Sequence, residues 1–501
     1  MTAGLQRALP GRRFLVVSNR EPYEHHWDEA KDELVVRRPA GGLISALDPL
    51  LQAVGGTWIA WGSGDRDAEV VDEHQRVRVP PEHPRYTLRR LWLNQNDLHH
   101  YYYGYANQFL WPLCHLRPAL TRTRRRYWER YDAVNRRFAD AVAEELEGCA
   151  PAAVWIHDYH LAVAPRYVRE RCPDATISLF WHIPFPPLEL FRVASQGPEL
   201  LRGLVANDVL GFHLPLFCDN FLRAVEAVLG LDVDWRQRSV RLDSHTCFVR
   251  AFPISIDVAA FQAAADVPDA AARIERLRTR YARAGVQLGI GVDRIDYSKG
   301  LEEKLKALEL LWEHHPELRE RFTYLQIAVP SRTGIEAYDW LNEKLERMVW
   351  SINDRFGTNE WRPIHLIKEA VSAERLALYY RASDIAIIAS LQDGMNLVAK
   401  EYAAAQLDDP GGVLVLSRFA GAVQELDGTV EVNPFDVESF AEGIRTALLL
   451  TPEQRRERVQ RLRASLRTIY DWMVEVFDVW GAAARGDAVP LSHADAWRRF
   501  R

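Results

Sequence analysis

Short apolar runs alternate with longer helical patterns along almost the whole chain. This alternation is typical of βα units, in which parallel strands are joined through helices. It predicts an α/β protein with doubly wound sheets. The predicted strands are Phe14–Ser18, Ala153–His157, Thr176–His182 and Val209–His213 in the first half, and Gln287–Val292, Thr323–Val329, Ile364–Ile367, Ile385–Ala389 and Val413–Ser417 in the second.

The chain length predicts more than one domain. A chain of 501 residues is too long for one ordinary core, and the stretch Ala251–Asp257 marks the crossing between its halves. We predict Rossmann-like domains over residues 1–254 and 255–470, followed by a C-terminal helix and tail over 471–501. The pattern from Arg455 to Trp480 predicts a long helix, and the sequence leaves open whether it returns to the first domain.

Composition and charge exclude several classes of protein. Charged residues make up 26% and hydrophobic residues 48%, which is normal for a globular enzyme. The net charge of -6 argues against a nucleic-acid partner. The five cysteines form no CxxC pair, so neither a disulfide framework nor a cysteine zinc site is expected. No signal peptide or bilayer-length apolar span is found, which predicts a cytoplasmic protein with no membrane partner. The oligomeric state is open.

Polar residues cluster where the predicted strands end. In doubly wound sheets, ligands bind beyond the carboxyl ends of the strands, at the point where the strand order reverses. The same clustering in both halves predicts one site in a cleft between two domains. The residues at these ends are Asn19, Arg20, His157, Asp158, Tyr159, His160, His182, Arg294, Arg332 and Asp393.

Two loops indicate a nucleotide-sugar site. The first, Val292–Gly300, carries Arg294 and Lys299, and two fixed cations are suited to neutralising a diphosphate. The second, Asp393–Glu401, opens into a helical pattern, where unpaired N–H groups and the helix dipole favour an anion. One turn into that helix, Glu401 is well placed to bind the diol of a ribose.

A metal site is not expected. The run His157-Asp158-Tyr159-His160 has suitable side chains, but companion ligands at zinc spacing are lacking. The triplets Asp65-Arg-Asp67 and Asp232-Val-Asp234 resemble a metal-binding DxD motif, yet such triplets arise often by chance. We predict both to be solvent-facing. Gly289-Ile-Gly291 lacks the third glycine of a dinucleotide fingerprint, because position 294 is arginine.

Three aromatic residues and a second arginine suggest a sugar-phosphate pocket. Trp61, Tyr102 and Trp111 lie in aromatic-rich stretches. Any one of them is more often a core residue, but together they suit the apolar faces of a sugar. Arg332 would anchor a phosphate, with a charge-assisted hydrogen bond of roughly 1.5–3 kcal/mol. The pair Gly41-Gly42, before a helical run, predicts either a plain turn or a close backbone approach to a ligand.

These motifs together resemble the trehalose-6-phosphate synthase family, retaining glycosyltransferases with two facing Rossmann-like domains (the GT-B fold). The resemblance runs from about Phe14 to Trp480. The motifs that carry it are Ser18–Arg20, Ala40–Leu43, Leu110–Pro112, Trp155–Leu161, His182–Pro186, Arg294–Gly300 and Asp393–Glu401.

The resemblance implies transfer of glucose from a nucleotide-glucose, usually UDP-glucose, to glucose 6-phosphate, giving α,α-trehalose 6-phosphate. It implies no cofactor and no metal. Its implied catalytic residues are Asp158, His182, Arg294 and Lys299. The implied donor-binding residues are Gly41, Gly42, Asp393, Asn396, Leu397, Val398, Glu401 and Val371. The implied acceptor-binding residues are Arg20, Trp61, Tyr102, Trp111 and Arg332.

The sequence leaves alternatives open for the acceptor, for the donor and for catalytic activity itself. The loop Glu21–His26 looks like that of the glucosylglycerol-phosphate synthases, which use glycerol 3-phosphate as acceptor. Val371 is small where some relatives carry an aromatic beside the base, so GDP-glucose is a second candidate donor. A catalytically silent, regulatory member would lack a phosphate-clamp residue, whereas Arg294, Lys299 and Glu401 are all present.

Overall fold

Buried parallel β-strands form the framework of the protein. The computed structural model describes residues 7–39, 42–148, 151–242, 244–332 and 335–497. The chain divides into two units, 1–254 with 469–501, and 255–468. Each unit has a largely parallel sheet flanked by helices, so the predicted α/β class with Rossmann-like domains is confirmed.

The elements of the first unit are as follows. Its strands are β1 (Arg13–Ser18), β2 (Glu24–Asp28), β3 (Glu33–Arg37), β4 (Thr57–Trp61), β5 (Arg76–Val79), β6 (Tyr86–Leu91), β7 (Ala152–His157), β8 (Thr176–Phe180), β9 (Val209–Phe212), β10 (Val233–Asp234), β11 (Ser239–Arg241) and β12 (Thr246–Ala251). Its first helices are α1 (Gly42–Val54), α2 (Gln95–Asp97), α3 (Trp111–Cys114), α4 (Arg125–Leu146), α5 (Ala164–Arg171), α6 (Leu188–Phe191), α7 (Gly197–Val205) and α8 (Pro215–Ala224), with π-helical segments at Leu98–Leu110 and Val225–Leu229.

The main sheet of the first unit reverses its strand order beside β1. The order is β10-β11-β12-β9-β8-β7-β1-β4-β6-β5, parallel from β12 to β6 and antiparallel at both edges. Strand β1 lies between β7 and β4, which belong to opposite halves of the sheet. The carboxyl ends of β1, β4 and β7 therefore meet at one edge of the sheet, where doubly wound folds bind ligands.

The second unit contains the remaining strands and most of the remaining helices. Its strands are β13 (Gln287–Arg294), β14 (Phe322–Val329), β15 (Ile364–Ile367), β16 (Ile385–Ile388), β17 (Val413–Ser417) and β18 (Val430–Val432). Its helices are α9 (Val258–Ala265), α10 (Ala270–Tyr281), α11 (Leu301–His314), α12 (Glu336–Phe356), α13 (Ala373–Ala382), α14 (Leu397–Ala405), α15 (Val437–Leu448) and α16 (Pro452–Ala464). The sheet order is β15-β14-β13-β16-β17-β18, all parallel, and it reverses between β13 and β16.

A final helix, α17 (Ile469–Arg485), belongs to the first unit. Trp472 stacks on Trp155 of β7 with ring centroids 5.4 Å apart, and Phe477 meets Phe14 of β1 edge-on at 6.3 Å. The predicted single helix from Arg455 to Trp480 is wrong, because residues 465–468 separate α16 from α17. The chain leaves the second unit there, two residues before the predicted boundary at 470.

The stretch after Arg20 contains a structure that was not predicted from the sequence. It forms a separate antiparallel hairpin of β2 and β3. Half of its ten strand residues are exposed and only His25 is buried, whereas β1 and β7 are almost wholly buried. Among the described residues, no helix combines the length and apolar character needed to cross a bilayer.

Candidate active site

The reversal point of the second sheet brings the two predicted phosphate loops together. Lys299 lies on the turn after β13 and Asp393 on the loop after β16, and their Nζ and Oδ2 atoms are 2.6 Å apart. The Leu391 N–H donates to the Ser298 carbonyl at 2.8 Å, which ties the two loops directly. Arg294, the last residue of β13, is exposed beside them.

A glycine makes this close approach possible. Gly300 has φ +63, and a Cβ atom there would collide with the carbonyl oxygen of Ala389 at the end of β16. Any side chain would push the two loops apart, because backbone carbonyl atoms cannot move aside as a side chain can. The Ser298-Lys299-Gly300 run therefore requires its glycine for steric and conformational reasons.

The N-terminus of α14 lies beside this junction. Asn396 caps the helix by accepting the Ala399 N–H at 3.1 Å, and its amide donates to Asp393 Oδ2 at 3.0 Å. The N–H groups of Leu397 and Val398 precede the first intrahelical bonds and point out of the helix end. The predicted anion site at a helix start thus has its structural framework in this unit.

Two further residues that were predicted to bind the donor substrate lie in the second unit. Glu401 is half-buried on α14 and accepts a hydrogen bond from the Tyr380 hydroxyl at 3.2 Å. Burial raises the pKa of Glu401 to about 7, although the Tyr380 bond acts to lower it. Val371 is half-buried on the loop after β15, just before the Ser372 cap of α13.

Arg332 is held by a buried carboxylate in the second unit. Its Nη1 donates to Asp296 Oδ2 at 3.0 Å and also to the Tyr338 hydroxyl. The side chain of Arg332 is 7% exposed and that of Asp296 is 0% exposed. The sequence did not indicate this pairing. Asp296 lies inside the Arg294–Gly300 motif, but no sequence pattern marks Tyr338 on α12.

In the first unit, Asp158 is fixed by the backbone at the carboxyl end of β7. Its Oδ1 accepts the N–H of Tyr159 at 2.9 Å and the N–H of His182 at 3.2 Å. Its own N–H donates to the Phe180 carbonyl at 2.8 Å. The structure therefore brings together Asp158 and His182, two of the predicted catalytic residues.

His182 is paired with a second histidine. Its Nε2 lies 3.1 Å from Nδ1 of His157, and no described residue bonds Nε2 of His157. Burial lowers the pKa of His157 to about 3 and holds that of His182 well below its usual value, so both rings are neutral near pH 7. An unpaired buried acceptor costs less than an unpaired donor. We therefore assign the proton of the contact to His157 Nδ1, which places a proton on His182 Nδ1.

The predicted aromatic residues are partly brought together. Trp61, at the end of β4, and Tyr102 have ring centroids 6.0 Å apart, and Tyr102 stacks on His160 at 5.7 Å. Tyr102 lies on the π-helical segment Leu98–Leu110, a conformation frequent at functional sites. Trp111 is buried and contacts Tyr159 at 5.9 Å.

Two glycines and one arginine complete the predicted set in the first unit. Arg20 is exposed just beyond β1, and its carbonyl accepts a bond from the Ser18 hydroxyl at 2.7 Å. Gly42 begins α1. Gly41 lies outside the described residues.

Several of the predicted site residues have unusual backbone angles. Among the described non-glycine residues, eight have a positive φ angle. Three of the eight are predicted site residues, namely Asp158 at 77°, Arg332 at 48° and Asn396 at 78°. Such conformations cost energy and concentrate at functional sites, where surrounding contacts hold them in place.

Metal-ligating side chains are not clustered in the part of the chain that the structure describes, which contains no group of three or more His, Cys, Asp or Glu able to hold an ion. The predicted solvent exposure of the Asp65-Arg-Asp67 triplet is wrong for Asp67. That side chain is fully buried because it pairs with Arg90, at 2.8 Å between Oδ1 and Nη2.

Comparison with known proteins identifies the family. The family model for glycosyltransferase family 20 matches residues 12–480. The chain is 37% identical to a trehalose-6-phosphate synthase of Mycobacterium marinum over 504 aligned positions, covering 96% of this chain and 95% of that protein.

Solved structures give the same result. A UDP-forming α,α-trehalose-phosphate synthase from Burkholderia xenovorans, in complex with glucose 6-phosphate, matches with a TM-score of 0.80 and 31% identity, covering 92% of this chain and 98% of that one. An E. coli protein bound with UDP-2-fluoro glucose matches with a TM-score of 0.81 and 30% identity, covering 96% and 99%.

The two Rossmann-like units, with polar side chains at both strand-order reversals, define a glycosyltransferase of the GT-B class. The family match extends over nearly the whole chain. The chain belongs to glycosyltransferase family 20, the family of the trehalose-6-phosphate synthases.

Proposed function

We propose that the protein transfers glucose from UDP-glucose to glucose 6-phosphate, giving α,α-trehalose 6-phosphate and UDP. The observation that carries this proposal is the junction of Lys299, Asp393 and the α14 N-terminus at the reversal of the second sheet. A diphosphate leaving group needs such a concentration of donors and positive charge. The relatives named as trehalose-phosphate synthases support the choice of substrates.

The donor is held by residues of the second unit in this proposal. Arg294 and Lys299 bind the diphosphate, together with the outward-pointing N–H groups of Leu397 and Val398. Glu401 accepts hydrogen bonds from the ribose diol. Asp393, already fixed by Lys299 and Asn396, accepts hydrogen bonds from hydroxyls of the glucose.

The first unit supplies the remaining contacts in this proposal. The N–H at Nδ1 of His182 donates to a hydroxyl of the donor glucose, since its Nε2 is engaged by His157. Trp61, Tyr102 and Trp111 provide apolar faces for the acceptor sugar. Arg20 is an acceptor contact, and Asp158 accepts a hydrogen bond from a hydroxyl next to the one that attacks, whose own proton goes to the leaving phosphate.

The proposed reaction proceeds with retention, by attack from the face that the diphosphate leaves. The bond between the anomeric carbon and the donor phosphate oxygen breaks, and a bond to the acceptor oxygen forms. The acceptor proton passes to the departing phosphate oxygen, while Arg294 and Lys299 stabilise its negative charge. The histidine pair stays neutral in this scheme, because burial depresses the pKa values of both rings. No acid is needed from it, since the leaving phosphate takes the acceptor proton.

The proposal is tested by measuring nucleotide release from UDP-glucose and GDP-glucose, each with glucose 6-phosphate and with glycerol 3-phosphate. We expect turnover with UDP-glucose and glucose 6-phosphate, and only slow hydrolysis when the acceptor is omitted. If only glycerol 3-phosphate served as acceptor, the proposed acceptor would be wrong. If only GDP-glucose served as donor, the proposed donor would be wrong. No turnover with any pair of substrates would favour a catalytically silent, regulatory member.

Donor binding is expected to weaken in mild acid. A protonated Glu401 offers fewer acceptor lone pairs to the ribose diol, so its ionised form binds the donor better. With a pKa of about 7 for Glu401, the donor KM should rise as the pH falls through that value. The rise should be about tenfold between about pH 8 and about pH 6, following the ionised fraction.

The matched variant is Glu401→Gln, which cannot ionise. Its donor KM should be raised at both pH values and should show no comparable pH dependence. An identical pH profile in the wild type and in Glu401→Gln would assign the effect to another group.

A further inference from the structure

A buried ionic cluster begins at Glu21, the residue after Arg20, and contains none of the proposed substrate-binding residues. It consists of Glu21, Asp67, Arg90 and His25, which are 0%, 0%, 1% and 4% exposed. Arg90 Nε donates to Glu21 Oε2 at 2.7 Å, and Arg90 Nη2 lies 2.8 Å from Asp67 Oδ1 and 2.9 Å from His25 Nδ1. Burial of so many ionisable groups is costly unless they are paired, as these are.

Glu21 joins the loop after β1 to the loop after β4. Its Oε1 accepts the Ser63 N–H at 2.6 Å and the Ser63 hydroxyl at 3.1 Å. Glu21 follows Arg20 in the chain, and Ser63 is two residues beyond Trp61. The clamp therefore fixes the positions of two proposed acceptor contacts, which come from different strands, relative to each other.

The same cluster fastens the β2–β3 hairpin. Asp67 Oδ1 accepts the His25 N–H at 2.8 Å, and Arg90 Nη2 donates to the Tyr23 carbonyl at 2.9 Å. Gly64 lies so close to the hairpin that a Cβ atom there would be 2.5 Å from the His25 carbonyl oxygen. The hairpin, the β1 loop and the β4 loop are thus linked through one hydrogen-bonded cluster.

The charges of Glu21, Asp67 and Arg90 cancel when one of the two carboxylates is protonated. Burial raises the pKa of Glu21 to about 8, and its hydrogen bond to Asp67 adds to this shift. Burial acts against ionisation of Asp67 too, but bonds from His25 and Glu21 and the charge of Arg90 lower its pKa. Near pH 7, a neutral Glu21 therefore accompanies an Arg90–Asp67 ion pair.

We propose that Glu21 is a positioning residue for the acceptor, which acts by clamping the loops of Arg20 and Trp61 together. This proposal rests on the proposed function, because it takes these two residues as acceptor contacts. Glu21 does not touch the substrate itself. Its removal leaves Arg90 Nε and the Ser63 N–H without the carboxylate that accepts from them and frees the two loops to separate.

The test compares acceptor and donor kinetics in Glu21→Ala and Glu21→Gln. In Glu21→Ala, we expect the acceptor KM to rise about tenfold or more, with a much smaller change in donor KM. Glu21→Gln should be intermediate, because its amide oxygen still accepts from Ser63, while its NH₂ group faces the donor Nε of Arg90. The matched control is Glu73→Gln, which alters a highly exposed carboxylate away from the hairpin and should match the wild type.

The pH profile gives a second readout that a merely structural role would not change. Above about pH 8 the ionisation of Glu21 would add a second negative charge next to Asp67, and the acceptor KM should rise. The other ionisable groups around the clamp are Glu24 and His25 on the hairpin and Arg90 on β6. Glu21→Gln should lack this rise.

Equal changes in both KM values, or a loss of thermal stability alone, would overturn the proposal. If Glu21→Ala does not fold, the kinetic split and flat pH profile of Glu21→Gln decide the question. Wild-type turnover with glucose 6-phosphate tests the proposed function separately. If the wild type uses another phosphorylated acceptor, the same split is measured with that acceptor.

Discussion

Lys299→Ala is expected to lower kcat by about 10²–10³-fold, the usual effect of removing one group that stabilises developing negative charge. In the proposed reaction, negative charge grows on the departing diphosphate, and the Lys299 ammonium lies at the reversal of the second sheet where that group would bind. The donor KM should change less than kcat, because the interaction strengthens as the bond breaks. Steady-state kinetics with saturating acceptor measures both.

The Lys299–Asp393 ion pair offers a competing explanation, in which Lys299 only neutralises a carboxylate. Asp393 keeps hydrogen bonds from Ser390 Oγ and Asn396 Nδ2, both at 3.0 Å, when Lys299 is removed. If neutralisation were the whole role, Lys299→Ala would cost nothing further in an Asp393→Asn background. We expect Lys299→Ala to lower kcat in that background as well as in the wild type. Lys306→Ala, an exposed lysine on α11, is the matched control.

The sequence predicted the central strands well, for a physical reason. Strand β17 has the predicted bounds, because parallel strands buried on both faces are continuous apolar runs. Strand β15 also has the predicted bounds, although it is a half-buried edge strand. The β2–β3 hairpin was missed because β2 is mainly polar and β3 has only a three-residue apolar run, Leu34–Val36, which is not buried. Its position depends on Asp67 and Arg90, and Glu21 reaches Arg90 across 69 residues of sequence.

The sequence predicted at which strand ends the candidate site residues lie, but not which of their side chains bond to one another. Polar residues after apolar runs indicated the carboxyl ends of strands, and parallel topology then placed Lys299 and Asp393 at neighbouring ends. Their direct bond spans 94 residues and depends on side-chain conformations that no local pattern encodes. The Arg332–Asp296 pair was likewise hidden, since Arg332 was predicted from its charge alone as a phosphate anchor.

Arg332→Ala is expected to raise the KM for glucose 6-phosphate by about 10–100-fold, corresponding to a charge-assisted contact of roughly 1.5–3 kcal/mol. The donor KM should change far less. Arg332→Lys should recover only part of the loss, because a lysine cannot reproduce the planar two-donor geometry of the guanidinium. An unchanged KM for glucose 6-phosphate would dismiss the phosphate role.

The ion pair with Asp296 must be separated from the phosphate contact. Without Arg332, buried Asp296 still accepts the N–H and hydroxyl of Ser298, at 2.9 and 2.8 Å, so its carboxylate keeps part of its hydrogen bonding. Unphosphorylated glucose as acceptor provides the decisive comparison, because it has no phosphate to lose. If Arg332 binds phosphate, the variant should discriminate poorly between glucose and glucose 6-phosphate, with unchanged kinetics on glucose. If it only supports Asp296, both acceptors should suffer equally, while exposed Arg347→Ala should affect neither.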